Sequence, residues 1–375
     1  MLLNASTLVK GGGIQAAVSY LKSLVEQREI DSLDWYVAAS APVNEQLGKL
    51  GVELIDQKDM VFDESPAKHR RSKQQLLDYV NDKGISCVFT FFGPAYVKFP
   101  VTHICGVADG WVTHSDLEAY SKIKSSVDKA RMFLLCCYKG YWFRKADAWF
   151  VEQEAAKRGL ARRLFVDSKR VHVVENNCAS HYESYSGPPL LKGNKVRILV
   201  FASFYPNKNI ESVPYVAKAL SEFGCDDFEF VLTIDPIEPG LQRVFNTSEE
   251  LGVADVINNI GAVDLADGPA LYKACKLLFM PSVLETFSAV YPEAMAMKLP
   301  IVTVDKQFAR AICVGAAAYY DSKKPVEAAE HIKRLLDSRD SYAALVDEGS
   351  RRLLDFPNTQ QKFERLHKVV ESYLK

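Results

Sequence analysis

Two glutamates spaced eight residues apart give the sharpest chemical signal in this sequence. Glu285 lies in a polar loop and Glu293 at the start of a predicted helix, so both carboxylates can point into one space. Carboxylate oxygens accept hydrogen bonds from the hydroxyls of a ribose or a hexose. Free N–H groups near Ser288, the predicted N-cap, and Ala289 would suit a diphosphate. Either glutamate taken alone is more simply a surface residue; together they predict a site for a phosphorylated sugar.

Three consecutive glycines, Gly11, Gly12 and Gly13, form a second candidate site. They follow a short predicted strand at Leu2-Leu3 and precede an amphipathic helix over residues 14–25. Glycines let a backbone approach a ligand closely, and a helix N-terminus attracts anions. The run matches neither GxGxxG nor a Walker A loop. A tight strand-to-helix turn and a phosphate or sugar contact therefore stay open as interpretations.

Short, unbroken apolar segments alternate with helical patterns along the chain, which predicts parallel sheets covered on both faces. The predicted strands include residues 35–39, 52–55, 87–92, 101–105, 148–151, 171–174, 196–203, 228–232, 277–280 and 301–304. Predicted helices cover 211–223, 325–338 and 359–374. Residues 184–195, rich in proline and glycine, read as an interdomain linker. We predict an α/β fold of two doubly wound domains facing a cleft, with ligands at the carboxyl ends of the strands.

Composition narrows the possible functions. The 375 residues include 46 Lys plus Arg and 47 Asp plus Glu, so the net charge of -1 gives no general attraction to nucleic acid. The longest apolar runs have about ten residues, whereas a membrane-spanning helix needs about twenty. The first residues lack the pattern of a signal peptide. The eight cysteines form no CxxC pair, which favours reduced thiols in a cytoplasmic protein without a metal site.

Residues 280–300 resemble the E-x7-E signature of the retaining glycosyltransferases of family 4, the group 1 transferases with the GT-B fold. The matching residues are Pro281-Ser282, Glu285, Phe287, Glu293 to Ala296 and Pro300 to Val302. Weaker matches follow in the family's order: the glycine loop, Ala146 to Ala148, Val171 to Asn177, Tyr205 to Asn209 and the last helix. The resemblance implies an acceptor-side domain at 1–185, a nucleotide-sugar domain at 186–355, and a C-terminal helix, 356–375, packed back on the first domain.

The resemblance also implies roles for individual residues. Glu285 would hold the hydroxyls of the transferred sugar, Glu293 those of the ribose, and Lys208 would pair with the diphosphate and stabilise it as it leaves. Backbone N–H groups of residues 287–289 would contact the sugar and phosphates. The donor-binding residues expected on this basis are Gly12, Gly13, Ser203, Lys208, Phe287, Ser288, Ala289 and Glu293.

The chain departs from the family pattern at two places. Ala202-Ser203 stands where the family has Gly-Arg, so a phosphate-binding arginine is missing, and Arg243 or Lys306 could replace its charge. The family's His-Asp after the strand near residue 100 is also absent. Asp109, included with Glu285 and Lys208 as a catalytic candidate, and His114 could contact the acceptor or the sugar. His103, inside an apolar strand, is better explained as a core residue.

The expected function is a retaining transfer of a hexose from a UDP- or GDP-sugar to a hydroxyl of a glycan or lipid-linked glycan, in surface polysaccharide synthesis. No metal or other cofactor is required. Two alternatives stay open: a GT-B protein that binds nucleotide sugars without transferring them, and a nucleotide-sugar epimerase of the same fold.

A basic and aromatic stretch over residues 122–145 suggests peripheral binding to the inner face of a membrane. Its lysines and arginines surround the apolar segments 132–135 and 141–143, and residues 69–73 add a second basic cluster. The alternative interpretation, slightly favoured by the sequence, is a core-facing helix with a solvated charged face. Nucleic-acid binding is not indicated, since no recognised motif is present.

Overall fold

The computed structural model describes residues 1–9, 11–26, 34–54 and 58–374, which form two compact units. The first unit comprises Met1–His114, Ser126–Glu175 and Thr359–Lys375; the second comprises Ser115–Ser125 and Asn176–Asn358. The C-terminal segment thus clusters with the residues of the first unit. Ser115–Ser125, which the sequence placed in the first domain, clusters with the second unit. Within the described ranges, no helix is both long and apolar enough to cross a membrane.

The described residues form parallel strands separated by helices. The strands are β1 Leu2–Ala5, β2 Tyr36–Ser40, β3 Met60–Phe62, β4 Cys87–Thr90, β5 Thr102–Gly106, β6 Ala148–Val151, β7 Val171–Val173, β8 Val196–Val200, β9 Phe228–Leu232, β10 Ile257–Asn259, β11 Leu277–Met280, β12 Ile301–Val304 and β13 Ala318–Tyr320. The helices are α1 Gly12–Glu26, α2 Ala41–Lys49, α3 Arg70–Asp82, α4 Gly110–Thr113, α5 Leu117–Ser121, α6 Ser126–Phe143, α7 Glu154–Leu164, α8 Ser180–Glu183, α9 Val213–Glu222, α10 Pro239–Glu250, α11 Gly268–Lys273, α12 Val290–Ala296, α13 Gln307–Cys313, α14 Pro325–Asp337, α15 Arg339–Leu353 and α16 Thr359–Glu371.

Each unit is built on one parallel sheet whose strand order reverses near its middle. The first sheet has the order β3-β2-β1-β4-β5-β6-β7, and the second has the order β10-β9-β8-β11-β12-β13. In the second sheet Leu278 pairs with Ile301 and Leu277 with Ile198, so β11 lies between β12 and β8. The direction in which successive strands are added to the sheet therefore reverses between β8 and β11, and open α/β sheets bind ligands at such a point.

The central strands are buried on both faces, which explains their largely apolar sequences; Glu229 of β9 is buried and pairs with Arg197. Every residue of β4, β9 and β11 is buried, and helices cover both sides of each sheet. The predicted fold class, two doubly wound Rossmann-like domains, is confirmed. The strands 228–232, 277–280 and 301–304 were predicted with their observed bounds.

Several predicted elements were wrong or missed. Residues 52–54 form no strand, and Ile55 lies outside the described residues; β3 instead begins at Met60. The sequence also missed β10 and β13, which have three residues each and lie at sheet edges, where a continuous apolar run is not needed. Between the two predicted C-terminal helices, the chain forms a further one, α15.

Candidate active site

Two loops meet at the point where the strand order of the second sheet reverses. One follows β8 and contains a short 3-10 turn, Pro206–Lys208; the other follows β11. Asn207 joins them twice: its backbone carbonyl accepts from the Val283 N–H at 2.8 Å, and its side-chain amide donates to the Leu284 carbonyl at 2.8 Å. Because each bond fixes one loop against the other, the residues that follow, Lys208 and Glu285, are placed side by side.

Lys208 and Glu285 form an ion pair at these loop ends. The Lys208 ammonium donates to Glu285 Oε1 at 2.6 Å, and the two side chains are only 18% and 11% exposed. Partial burial strengthens such a pair, because less water screens the charges. An ammonium group has three donors, so Lys208 can hold the carboxylate and still donate to a phosphate. The structure therefore brings together two of the three residues predicted to be catalytic.

Glu293 lies inside α12 with its carboxyl group buried against two tyrosines. The Tyr272 hydroxyl donates to Glu293 Oε2 at 3.0 Å, and Tyr182 also donates to this carboxyl group. Burial raises the pKa of Glu293 from 4.5 to about 7, although both hydrogen bonds act in the opposite direction. The tyrosines therefore fix the carboxylate, and a ligand that donated to it would favour its charged form.

The segment between the glutamates differs from its prediction in one respect. Helix α12 begins at Val290, and Ala289 precedes it without a side-chain cap, so the prediction of Ser288 as N-cap was wrong. The Ser288 carbonyl instead accepts from the Tyr291 N–H at 3.2 Å in a tight turn, which delays the helix. Among the described residues, none accepts a hydrogen bond from the backbone N–H groups of residues 287–289. These groups are available to a ligand.

The remaining donor-binding candidate of the second unit, Ser203, is exposed in the loop after β8. The two cations considered as replacements for the missing arginine both have acidic partners. Arg243 pairs with Glu211 at 2.6 Å, and Lys306 pairs with Asp116 at 2.8 Å. Lys208 also has an acidic partner, but this partner is Glu285, which lies in the loop after β11.

Gly12, Gly13 and Asp109 belong to the first unit. Gly12 begins α1, and a Cβ atom there would meet nothing within 4 Å. Asp109 caps α4 by accepting from the Val112 N–H, and it pairs with Lys139 at 2.7 Å. These contacts give Asp109 a structural role whether or not it also acts in catalysis.

The two histidines of this region are also engaged. His103 is buried, its Nε2 lies 2.8 Å from Thr90 Oγ1, and burial lowers its pKa to about 3. It is a core residue, as the sequence predicted. His114 Nδ1 lies 2.8 Å from the hydroxyl of Thr113.

Sequence reasoning missed three residues that shape the site: Asn207, Tyr182 and Tyr272. Asn207 precedes Lys208 directly and lies in the Tyr205 to Asn209 match, so its position was a usable signal. No sequence signal pointed to the tyrosines, which lie 111 and 21 residues from Glu293 along the chain.

Comparisons with known proteins identify a domain in the second half of the chain. Residues 183–352 match the family described as "Glycosyl transferases group 1". No curated protein matches the full sequence. The match covers 170 of the 375 residues, so it shows a group 1 glycosyltransferase domain in the second half of the chain. The two Rossmann-like units fit the GT-B fold. The subdivision into family 4 stays a prediction.

Solved structures resemble the whole chain at low sequence identity. A glycosyltransferase from Rickettsia africae is 14% identical with a TM-score of 0.73, and the match covers 100% of this chain and 98% of that one. Anabaena Alr3699/HepE, solved in complex with UDP and glucose, is 14% identical with a TM-score of 0.74 over 99% of both chains. Sucrose-phosphate synthase from Thermosynechococcus elongatus is 14% identical with a TM-score of 0.68, covering 99% of this chain and 98% of that one. These likenesses concern the fold.

Proposed function

We propose that this protein transfers a hexose from a nucleoside diphosphate sugar to a hydroxyl of a glycan, with retention at the anomeric carbon. The observation that supports this most is the ion pair between Lys208 and Glu285 where the strand order reverses. A cation beside a carboxylate suits a ligand that has a diphosphate at one end and sugar hydroxyls at the other.

In this proposal each side chain acts on one part of the donor. Glu293, held by Tyr182 and Tyr272, accepts from the ribose hydroxyls. Lys208 and the N–H groups of residues 287–289 hold the diphosphate and stabilise its charge as the glycosidic bond breaks. Glu285 accepts from the hydroxyls of the hexose and keeps Lys208 in place before the donor binds. Gly12, Gly13 and Ser203 are proposed donor contacts, and Asp109 a proposed contact to the acceptor or the sugar.

Of the candidate bases, we propose uracil first and guanine second. The Anabaena protein of the same fold has been solved with UDP and with UDP-glucose, which supports a UDP-sugar donor. The charge developing on the diphosphate is met by Lys208 and backbone donors, so the proposed reaction needs no metal ion.

Calorimetric titration with UDP and GDP tests the separate roles of the two glutamates. Glu293→Ala should weaken nucleotide binding by about 1.5–3 kcal/mol, since ribose hydroxyls lose a charged acceptor. Glu285→Ala should leave nucleotide binding at least as tight, because it frees Lys208, while turnover of the sugar donor falls. Equal losses of affinity in both variants would refute this division. Conversion of the donor sugar without any acceptor would instead support an epimerase.

We further propose that the acceptor is reached at the inner membrane surface, where the protein binds peripherally during surface polysaccharide synthesis. Helix α6 supports this, because its apolar side chains face outward: Phe133 is 58% and Leu134 66% exposed. Of its described residues, only Gly140 and Phe143 are buried. The other side of the helix packs on the core of the first unit through Phe143 and Cys136, so the core-facing alternative holds for that side alone. Exposed cations flank the apolar residues, among them Arg131 and Arg144, as expected for binding to anionic lipid.

Vesicle sedimentation at low and high salt tests this surface. Each cation near an anionic surface contributes about 1 kcal/mol, so replacing Arg131 and Arg144 by Glu should release the protein from anionic vesicles. Lys139 is left unchanged because it pairs with Asp109. The matched control replaces Lys218 of α9 and Lys333 of α14 by Glu as well. Equal release by the control pair, or no binding at low salt, would overturn the proposal.

A further inference from the structure

The second unit contains a groove that the proposed function does not use. It lies between the Ser115–Ser125 segment and the N-terminal ends of α9 and α14. Its volume of about 370 Å³ is near the lower end of the range of roughly 300–1,000 Å³ for small-molecule sites. Lys208, Glu285 and Glu293 are not among its described lining residues.

One wall of the groove, the Ser115–Ser125 segment, is held firmly to the rest of the unit. Lys306 pairs with Asp116 at 2.8 Å and with Glu118 at 2.5 Å. The Ser322 hydroxyl also donates to Glu118. These contacts anchor α5, which ends at Ser121, so the lysines that follow it are presented from a fixed turn.

The groove has an excess of positive charge. Three lysines line it, Lys122, Lys124 and Lys323, against one carboxylate, Glu211. Glu211 is already paired with Lys124 at 3.2 Å and with Arg243 at 2.6 Å. Within the described ranges, neither Lys122 nor Lys323 forms an ion pair. Burial lowers the pKa of Lys122; the charge of Glu118 opposes this shift, and the like charges of Lys124 and Lys306 add to it. A bound anion would also oppose the shift.

Asn209 supplies an unused donor in the same groove. It lines the groove, is only 8% exposed, and its side-chain nitrogen is buried without a hydrogen-bond partner among the described residues. Its φ of 52° is in the left-handed region, which asparagine tolerates better than most residues. A buried donor without a partner is costly, and a turn of the side chain toward the groove would give this nitrogen an acceptor on a bound ligand. The N-termini of α9 and α14 add positive potential at the same place.

We infer that this groove binds a small phosphate-bearing ligand, whose oxygens accept from Asn209, Lys122 and Lys323. Phosphate oxygens match this combination of charged and amide donors. The ligand can be free inorganic phosphate or the phosphate of a sugar phosphate, and both have the chemistry that the groove recognises. Asn209 directly follows Lys208, but none of the residues to which the proposed transferase reaction gives a role lines the groove.

Calorimetric titration of the full chain with inorganic phosphate, and separately with glucose 6-phosphate, tests the inference. Lys323→Gln should weaken binding of the tighter probe about tenfold, because a charge-assisted hydrogen bond is lost. Its matched control is Lys324→Gln, which removes the same charge from the next residue, a lysine paired with Glu327 at 2.6 Å. Asn209→Asp keeps the left-handed backbone and sets a negative charge against the ligand, so it should also weaken binding.

The outcomes are distinct. Equal affinity for both probes would show that the groove recognises the phosphate group alone. Tighter binding of glucose 6-phosphate would show that the preferred ligand is a sugar phosphate. Binding that survives Lys323→Gln and Asn209→Asp but is lost in Lys208→Gln would place the anion at the donor site and overturn the inference. Equal weakening by Lys324→Gln would show general electrostatic attraction, and absence of binding by either probe would also refute it. Thermal melts confirm that each variant is folded.

Discussion

Replacing Glu293 by Gln should make the stability of the ligand-free protein less dependent on pH. Burial raises the pKa of this carboxyl from 4.5 to about 7 in the folded chain. The folded state therefore keeps its proton at pH values where the unfolded chain has lost it. For a carboxyl with a raised pKa, stability is highest at low pH and is lost as the pH rises from about 4.5 to about 7.

The size of this effect follows from linkage. With these two pKa values, ionisation of Glu293 lowers the free energy of unfolding by about 2–3 kcal/mol more at pH 8 than at pH 5. Gln does not ionise. Between pH 5 and pH 8, the free energy of unfolding of Glu293→Gln should therefore rise by this amount relative to that of the unchanged protein. Any loss from the amide's poorer fit with Tyr182 and Tyr272 is the same at both pH values and cancels.

Urea unfolding at pH 5 and pH 8, followed by tryptophan fluorescence, measures the shift. Glu250→Gln makes the same exchange at an exposed position, the end of α10, and is the control. The reasoning is refuted if Glu293→Gln and the unchanged protein keep the same stability difference at both pH values, or if the variant loses relative stability at pH 8.

Three further predictions concern residues proposed to bind or position the donor. The affinity for UDP-glucose, whose diphosphate does not titrate near neutrality, should rise between pH 6 and pH 8 as Glu293 ionises, and titration calorimetry of Glu293→Gln should show no such rise. Gly12→Ala should stabilise α1 by up to about 1 kcal/mol, and the control Gly48→Ala should stabilise α2 similarly, since neither added Cβ meets an atom within 4 Å. Donor turnover should fall only for Gly12→Ala. Unchanged turnover in this variant would show that Gly12 does not contact the donor. Asn207→Ala should lower kcat more than it lowers UDP affinity, because it releases the loop that positions Lys208; steady-state kinetics showing only a raised KM would contradict this.

The sequence was sufficient to predict the architecture because the central strands are buried on both faces. Leu277–Met280 is a continuous apolar run, and Phe228–Leu232 is apolar except for Glu229, so few other structures fit these segments. The strands at the sheet edges are short and need no such run, which explains why Ile257–Asn259 and Ala318–Tyr320 were missed. Helix α6 has apolar residues on both sides: Phe143 packs in the core, whereas Phe133 and Leu134 are exposed. Periodicity alone cannot distinguish an outward apolar surface from a core-facing one.

The candidate site was predictable where its residues are close in sequence. Spacing alone pointed to Glu285 and Glu293, and the resemblance added Lys208. The contact between Lys208 and Glu285 joins residues 77 positions apart, and it depends on β8 and β11 being neighbours in the sheet. The tyrosines that bury Glu293 come from α8 and α11, so the raised pKa of this carboxyl could be found only from the folded chain.

The central claim is tested most directly by NMR of the reaction with a UDP-sugar or GDP-sugar. The proposed function predicts slow release of the nucleoside diphosphate with water as acceptor, and retention of the anomeric configuration in the first product formed. Lys208→Gln should abolish release while the protein stays folded, whereas Lys218→Gln, a lysine on the surface of α9, should leave it unchanged. Failure of the unchanged protein to bind or hydrolyse any of these donors, or full activity in Lys208→Gln, would contradict the account.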